Sequence, residues 1–102
     1  MMDINSIDIV GERVDGCIDL YIVVTESIEK SEELQAQLLD KIENYLVYIK
    51  SPQFKKDYPN VSVDKVYIKL KFTKKISEML LKWLREVELW VNSEGVNLLI
   101  SS

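Results

Sequence analysis

The chain has 102 residues, of which 47% are hydrophobic and 29% are charged, and it contains no histidine and a single cysteine, Cys17. This length predicts one domain over residues 1–102, large enough to bury a core without disulfide bonds or structural metals. Without histidine or a second cysteine, zinc fingers, disulfide frameworks and histidine-dependent catalysis are excluded.

The longest apolar run within a predicted strand covers residues 20–24, far short of the ~20 residues that cross a bilayer. The first residues lack the basic and apolar regions of a signal peptide. A lone cysteine is typical of proteins in the reducing cytosol. We therefore expect a cytoplasmic protein that makes no membrane contact.

The net charge of −4 is unevenly distributed along the chain. Residues 1–49 carry three basic and eleven acidic side chains, whereas residues 50–102 carry ten basic and six acidic ones. The lysines of the second half form either a basic binding face or the solvated surface of a loop and an edge strand.

Two extended segments begin the chain. Residues 7–10 alternate apolar and polar side chains, and residues 17–25 are rich in β-branched and aromatic residues. The stretch from Gly11 to Gly16 supplies a turn, so the two segments are predicted to pair as an antiparallel hairpin.

A helix is predicted next, from Ser31 as its N-cap to about Lys50, because apolar residues recur at helical spacing. Pro52 is expected to end it, and residues 53–60 are predicted to form a loop that contains Tyr58. The apolar stripe of this helix consists of Leu34, Leu38, Leu39, Ile42, Tyr45, Leu46, Tyr48 and Ile49.

Alternation of apolar and polar side chains over residues 64–72 predicts a third strand. A second helix follows over residues 74–93, with Gly95 at its C-terminal cap, and residues 96–100 form the last strand. The apolar stripe of this helix consists of Ile76, Met79, Leu80, Trp83, Leu84, Val87, Trp90 and Val91, whereas Leu81 and Leu89 lie off the stripe.

The predicted order is strand, strand, helix, strand, helix, strand. Strand–helix–strand units form right-handed parallel crossovers, so the last three strands should be parallel and the first antiparallel. If the sheet order follows the chain order, both helices cover the same face. The prediction is an α/β fold, a two-layer α+β sandwich with a four-stranded mixed sheet and one open face.

Alternation along the second and third strands defines the side chains expected on that open face. They are Cys17, Asp19, Tyr21, Val23, Thr25, Lys65, Tyr67, Lys69 and Lys71. Three interpretations remain open: a solvated face, a face for self-association or partner docking, and a face for single-stranded nucleic acid. The nucleic-acid interpretation would stack bases on the tyrosines, but the pI of about 4.8 and the two arginines disfavour it.

A nuclease of the PD-(D/E)xK type would need Asp8 and Glu26 as Mg²⁺ ligands and a lysine two residues after the glutamate. Ile28 occupies that position, so Lys30 would have to reach back from the loop. No glycine-rich loop precedes a helix, which excludes phosphate-binding fingerprints. We therefore expect no enzyme, no cofactor and no metal site.

Four short segments resemble a family of small bacterial domains of unknown function. They are residues 7–9, residues 38–46 with the pattern Leu-x-x-Lys-Ile-x-x-Tyr-Leu, the Tyr58–Pro59 dipeptide in residues 57–59, and residues 66–70. The resemblance implies a bacterial cytoplasmic protein, but it supplies no activity. Its shared positions Lys41, Asn44, Tyr45 and Tyr58 either fix the helix and the following loop or line a shallow groove at the carboxyl ends of the parallel strands.

The sequence thus predicts a non-enzymatic module that binds a protein partner or a second copy of itself as a homodimer. Tyr21, Tyr67, Lys69 and Lys71 are the predicted contact residues. Single-stranded nucleic-acid binding on the same face is the first alternative, and a degenerate nuclease is the second.

Overall fold

The computed structural model describes residues 9–12, 15–29 and 31–101. Strands and helices alternate after an initial pair of strands, and a 3₁₀ turn, Val63–Lys65, precedes the third strand. The elements are β1 (Ile9–Glu12), β2 (Ile18–Val24), α1 (Glu32–Ile49), α2 (Pro52–Asp57), β3 (Val66–Phe72), α3 (Glu78–Ser93) and β4 (Asn97–Ser101).

The strands form a single sheet in the order β1-β2-β3-β4. β2, β3 and β4 are parallel, and β1 pairs with β2 in the antiparallel direction. In this register Tyr21 of β2 lies beside Lys69 of β3, which lies beside Leu99 of β4. The predicted α/β class with a parallel sheet is confirmed.

The hydrophobic core lies between the sheet and the helices, because alternate residues of β2 and β3 are apolar and buried. The same core cluster contains the buried apolar residues of both long helices. The remaining side chains of β2 and β3, apart from Asp19, keep at least part of their surface exposed. Both long helices therefore cover one face of the sheet and leave the other face open.

Serine side chains cap both long helices. The Ser31 Oγ accepts a hydrogen bond from the Leu34 backbone N–H at 3.1 Å, and the Ser77 Oγ accepts one from the Leu80 N–H at 3.2 Å. Each contact pairs an N–H group that the helix itself leaves without a partner. Gly95 directly follows Glu94, the C-cap residue of α3. Its φ of +84° is the left-handed conformation that glycine adopts without steric cost.

The predicted loop over residues 53–60 is wrong in its first half, where α2 forms. Pro52 ends α1 as expected, but it also begins α2, since proline is well tolerated in the first turn of a helix. The Ser51 Oγ accepts a hydrogen bond from the Phe54 N–H, and the Phe54 ring is buried in the core. The predicted element order therefore lacks one short helix.

Three local expectations also need correction. Gly11 was placed in the hairpin turn but belongs to β1, beside Asp19 of β2. Met79 was placed on the apolar stripe of α3 but is 83% exposed. Lys41 is absent from the predicted apolar stripe of α1, yet it is only 2% exposed. The predicted first-strand residues 7 and 8 lie outside the described residues.

Among the helices formed by the described residues, none combines the length and apolar character that crossing a bilayer requires.

Candidate functional site

The open sheet face is the surface that the helices leave uncovered. Its side chains come from three adjacent strands, because the register of β2, β3 and β4 places residues of the same parity in rows. The described members are Asp19, Tyr21, Val23, Tyr67, Lys69, Lys71, Asn97, Leu99 and Ser101. Leu99 is 48% exposed and lies in the same row as Tyr21 and Lys69.

Two lysines converge on one tyrosine near the middle of this face. The Lys71 Nζ lies 5.2 Å from the centroid of the Tyr21 ring, and the Lys69 Nζ lies 5.7 Å from it. Both distances allow cation–π attraction. The Tyr21 Cε2 lies 3.7 Å from the point where a Cβ on Gly11 would stand, so the ring packs over the missing side chain of β1. The structure therefore brings together three of the four predicted contact residues.

Asp19 forms an ion pair with one of these lysines, Lys69. Its Oδ2 lies 3.2 Å from the Lys69 Nζ, with 6% of the aspartate side chain and 28% of the lysine side chain exposed. A carboxylate this deeply buried requires a nearby cation or donor. Sequence reasoning placed Asp19 on this face but missed the ion pair, since the partner is a diagonal neighbour across strands and the register was unknown. The available signal was that Asp19 and Lys69 carry opposite charges and alternate onto the same face of neighbouring strands.

Tyr67, the fourth predicted contact residue, lies one row closer to the amino end of the parallel strands. It is half-buried and aligned with Asp19 on one side and Asn97 on the other. Asn97 donates from its Nδ2 to the Val66 carbonyl oxygen at 3.2 Å. Tyr67 therefore lies in the row beside that of Tyr21, Lys69 and Leu99.

The four residues suggested for a groove do not line a common surface. Lys41 and Tyr45 are buried in α1, with the Lys41 Nζ 6.0 Å from the centroid of the Tyr45 ring. The Tyr45 hydroxyl donates to the Tyr21 carbonyl oxygen at 2.8 Å and so ties α1 to the middle of β2. Asn44 is exposed on α1, and Tyr58 lies at the end of α2.

Tyr58 does line a cavity of about 260 Å³, together with Pro59 and Asn60 of the same loop and Gly16 and Cys17 before β2. This cavity is located at the amino ends of the parallel strands, because the loop that holds Tyr58 leads into β3. The sequence-based expectation had placed the groove at the carboxyl ends.

An aromatic cluster supports the loop that holds Tyr58. The Phe54 ring meets Tyr48 edge-on at 5.4 Å and Tyr58 at 5.3 Å between centroids. The Tyr48 hydroxyl donates to the Asp57 Oδ2 at 2.9 Å. Burial, followed by this hydrogen bond and the charge of the carboxylate, raises the pKa of Tyr48 to about 12. Tyr48 therefore stays a neutral donor at physiological pH.

Two of the residues considered for a nuclease, Asp8 and Lys30, lie outside the described residues. Glu26 is exposed just after the end of β2. Within residues 9–12, 15–29 and 31–101, no group of three or more acidic or cysteine side chains is arranged to hold a metal ion.

A family model described as a family of unknown function (DUF6572) matches residues 1–102. No curated protein and no solved structure gives a significant match to the chain. The family match confirms the resemblance to domains of unknown function, and it covers every element of the fold. The chain therefore belongs to DUF6572, a family of unknown function.

Proposed function

We propose that the chain is a non-enzymatic protein-interaction module whose open sheet face binds an acidic segment of another protein. The observation that carries the proposal is the convergence of the Lys69 and Lys71 ammonium groups on the Tyr21 ring. A partner carboxylate can approach both cations at once, while an apolar side chain beside it packs on Tyr21 and Leu99. Aromatic anchors within a polar rim are typical of protein interfaces.

The lysines support this function because both already have interaction partners in the free chain. Lysine carries a large rotamer entropy, and immobilising it on binding costs about 0.5–1.5 kcal/mol per side chain. The Asp19 carboxylate holds Lys69 in place, and the Tyr21 ring attracts both ammonium groups. Part of the entropy cost of binding is therefore met during folding.

A protein partner suits this face better than nucleic acid. A nucleic-acid strand needs a row of cations along its phosphates, whereas the residues described on this face offer two, and Asp19 neutralises one of them. Two lysines release at most about two counterions, so affinity for a single strand would fall only about sevenfold between about 50 and 200 mM salt.

The test is selection of a random displayed-peptide library on the immobilised chain, followed by affinity measurement with the recovered peptides. We expect acidic peptides with apolar or aromatic side chains. Lys71→Glu should weaken them about tenfold, since it removes a hydrogen bond between charged groups and adds repulsion. Lys82→Glu is the matched control, because Lys82 is exposed on α3, away from the face.

Tyr21→Ser should also weaken these peptides while the far-ultraviolet circular dichroism stays unchanged. Recovery of no peptide, or of peptides indifferent to both open-face variants, would contradict the proposal. In a parallel arm, a deoxythymidylate oligomer is titrated at several salt concentrations. Tight binding with a salt dependence steeper than two counterions allow would replace the protein partner with nucleic acid.

A further inference from the structure

β4 forms one edge of the sheet and has no charged residue or proline within Asn97–Ser101. Exposed edge strands usually carry such residues because their unpaired backbone N–H and C=O groups can pair with another chain. An edge strand with the sequence Asn-Leu-Leu-Ile-Ser is therefore available for strand pairing, unless another molecule covers it.

A groove runs beside this edge, between β4 and α3. It encloses about 420 Å³ and is lined by Ile76, Leu81, Arg85, Glu88, Leu99 and Ile100. Leu81 is one of the two apolar residues predicted off the main stripe of α3, and its place in this groove explains why it is not in the core. The lining combines an apolar floor with one cation and one anion.

The two charges make the groove complementary to itself. Arg85 and Glu88 are three residues apart on α3, so they lie on the same side of the helix. Within the part of the chain that the structure describes, neither forms an ion pair. A surface that joins a second copy about a two-fold axis must match itself, and one charge of each sign satisfies this condition.

We propose that a second copy of this chain occupies the groove and that the two β4 strands pair antiparallel about a two-fold axis near Leu99. This pairing would extend the sheet continuously across both copies. It aligns the two α3 helices in antiparallel directions, so that Arg85 of each copy faces Glu88 of the other. Leu81 and Ile100 of both copies fill the space between them.

The charge arrangement provides the test, with molar mass measured by light scattering and the dimer Kd by sedimentation equilibrium. Arg85→Glu or Glu88→Arg alone replaces two attractive contacts per dimer with two repulsive ones. Each should raise the Kd about tenfold or more. The double variant Arg85→Glu, Glu88→Arg restores opposite charges across the axis and should return the Kd close to its original value.

Leu99→Lys should abolish the dimer, since a lysine on an edge strand opposes pairing. Lys55→Glu is the control, because Lys55 is exposed on α2, and it should leave the Kd unchanged, as should Lys71→Glu in the open-face cluster. A strict monomer at all concentrations would overturn the proposal. A dimer that the single charge reversals do not weaken, or that the double variant fails to restore, would overturn it as well. Neither result bears on peptide binding by the open face.

Discussion

Tyr45 offers the sharpest test of how the open face is supported. Its ring is 1% exposed, and its hydroxyl donates to the Tyr21 carbonyl oxygen at 2.8 Å. Tyr45→Phe keeps the ring and removes only this hydroxyl. Removing a buried hydrogen bond and leaving the carbonyl poorly solvated should lower the free energy of unfolding by about 1–2 kcal/mol. For a domain of this size, Tm should then fall by at least about 4 °C.

Tyr48 on the same helix supplies the matched control. The Tyr48 ring is half-buried, but its hydroxyl donates to Asp57 at the protein surface, where water can replace the partner. Tyr48→Phe should therefore change the free energy of unfolding by less than about 0.5 kcal/mol. Urea unfolding followed by circular dichroism measures both variants. Equal losses in the two, or no loss in Tyr45→Phe, would refute the argument that burial decides the contribution of each hydroxyl.

Lys69→Met should cost about 1–2 kcal/mol in urea unfolding, because it leaves a buried carboxylate without its ammonium group, and adding Asp19→Asn should recover part of that loss. Unchanged stability in the single variant would disprove a role for the pair. Folding raises the pKa of Tyr48 from 10.0 to about 12. The stability that the folded chain gains by keeping Tyr48 neutral is therefore complete below pH 10 and is lost as the pH rises through 12. Tyr48→Phe should accordingly lose less stability over this interval than the original chain, and parallel pH profiles would contradict the shift. Gly95→Ala should cost about 1–2 kcal/mol from its positive φ alone, since Val63 lies at an ordinary contact distance of 3.8 Å; a neutral result would show that the helix end relaxes.

Local patterns in the sequence predict most of the regular structure. The alternation that ends at Phe72 marks β3 because every second side chain enters the core. Ser31 marks the start of α1 because its side chain accepts a hydrogen bond from the first turn. The second helix was predicted from residue 74 but begins at Glu78, because Ser77 caps it. Ser51 caps α2 in the same way, but the sequence does not reveal this helix because six residues are too few to show a helical period. The burial of Phe54 stabilises it.

The candidate site depends on information that the sequence does not carry locally. The pairing of Asp19 with Lys69 requires the register between β2 and β3. The nearest residues of these strands, Val24 and Val66, are 42 positions apart in the chain. The burial of Lys41 and Tyr45 depends on how closely α1 packs against the sheet, and helical periodicity alone does not report this depth. The groove beside β4 depends on which strand ends at the edge.

The strand directions also determine how the domain responds to a mechanical load. Ile9 of β1 lies beside Tyr21, and Ser101 of β4 lies beside Lys71, which pairs with Val23. These two positions are therefore on opposite edges of the sheet and two residue rows apart. Tension between them acts across the strands, along the direction of the inter-strand hydrogen bonds. The inter-strand hydrogen bonds are then broken one after another, and they are not loaded together in shear. The domain should therefore unfold by sequential separation of its strands under a small force.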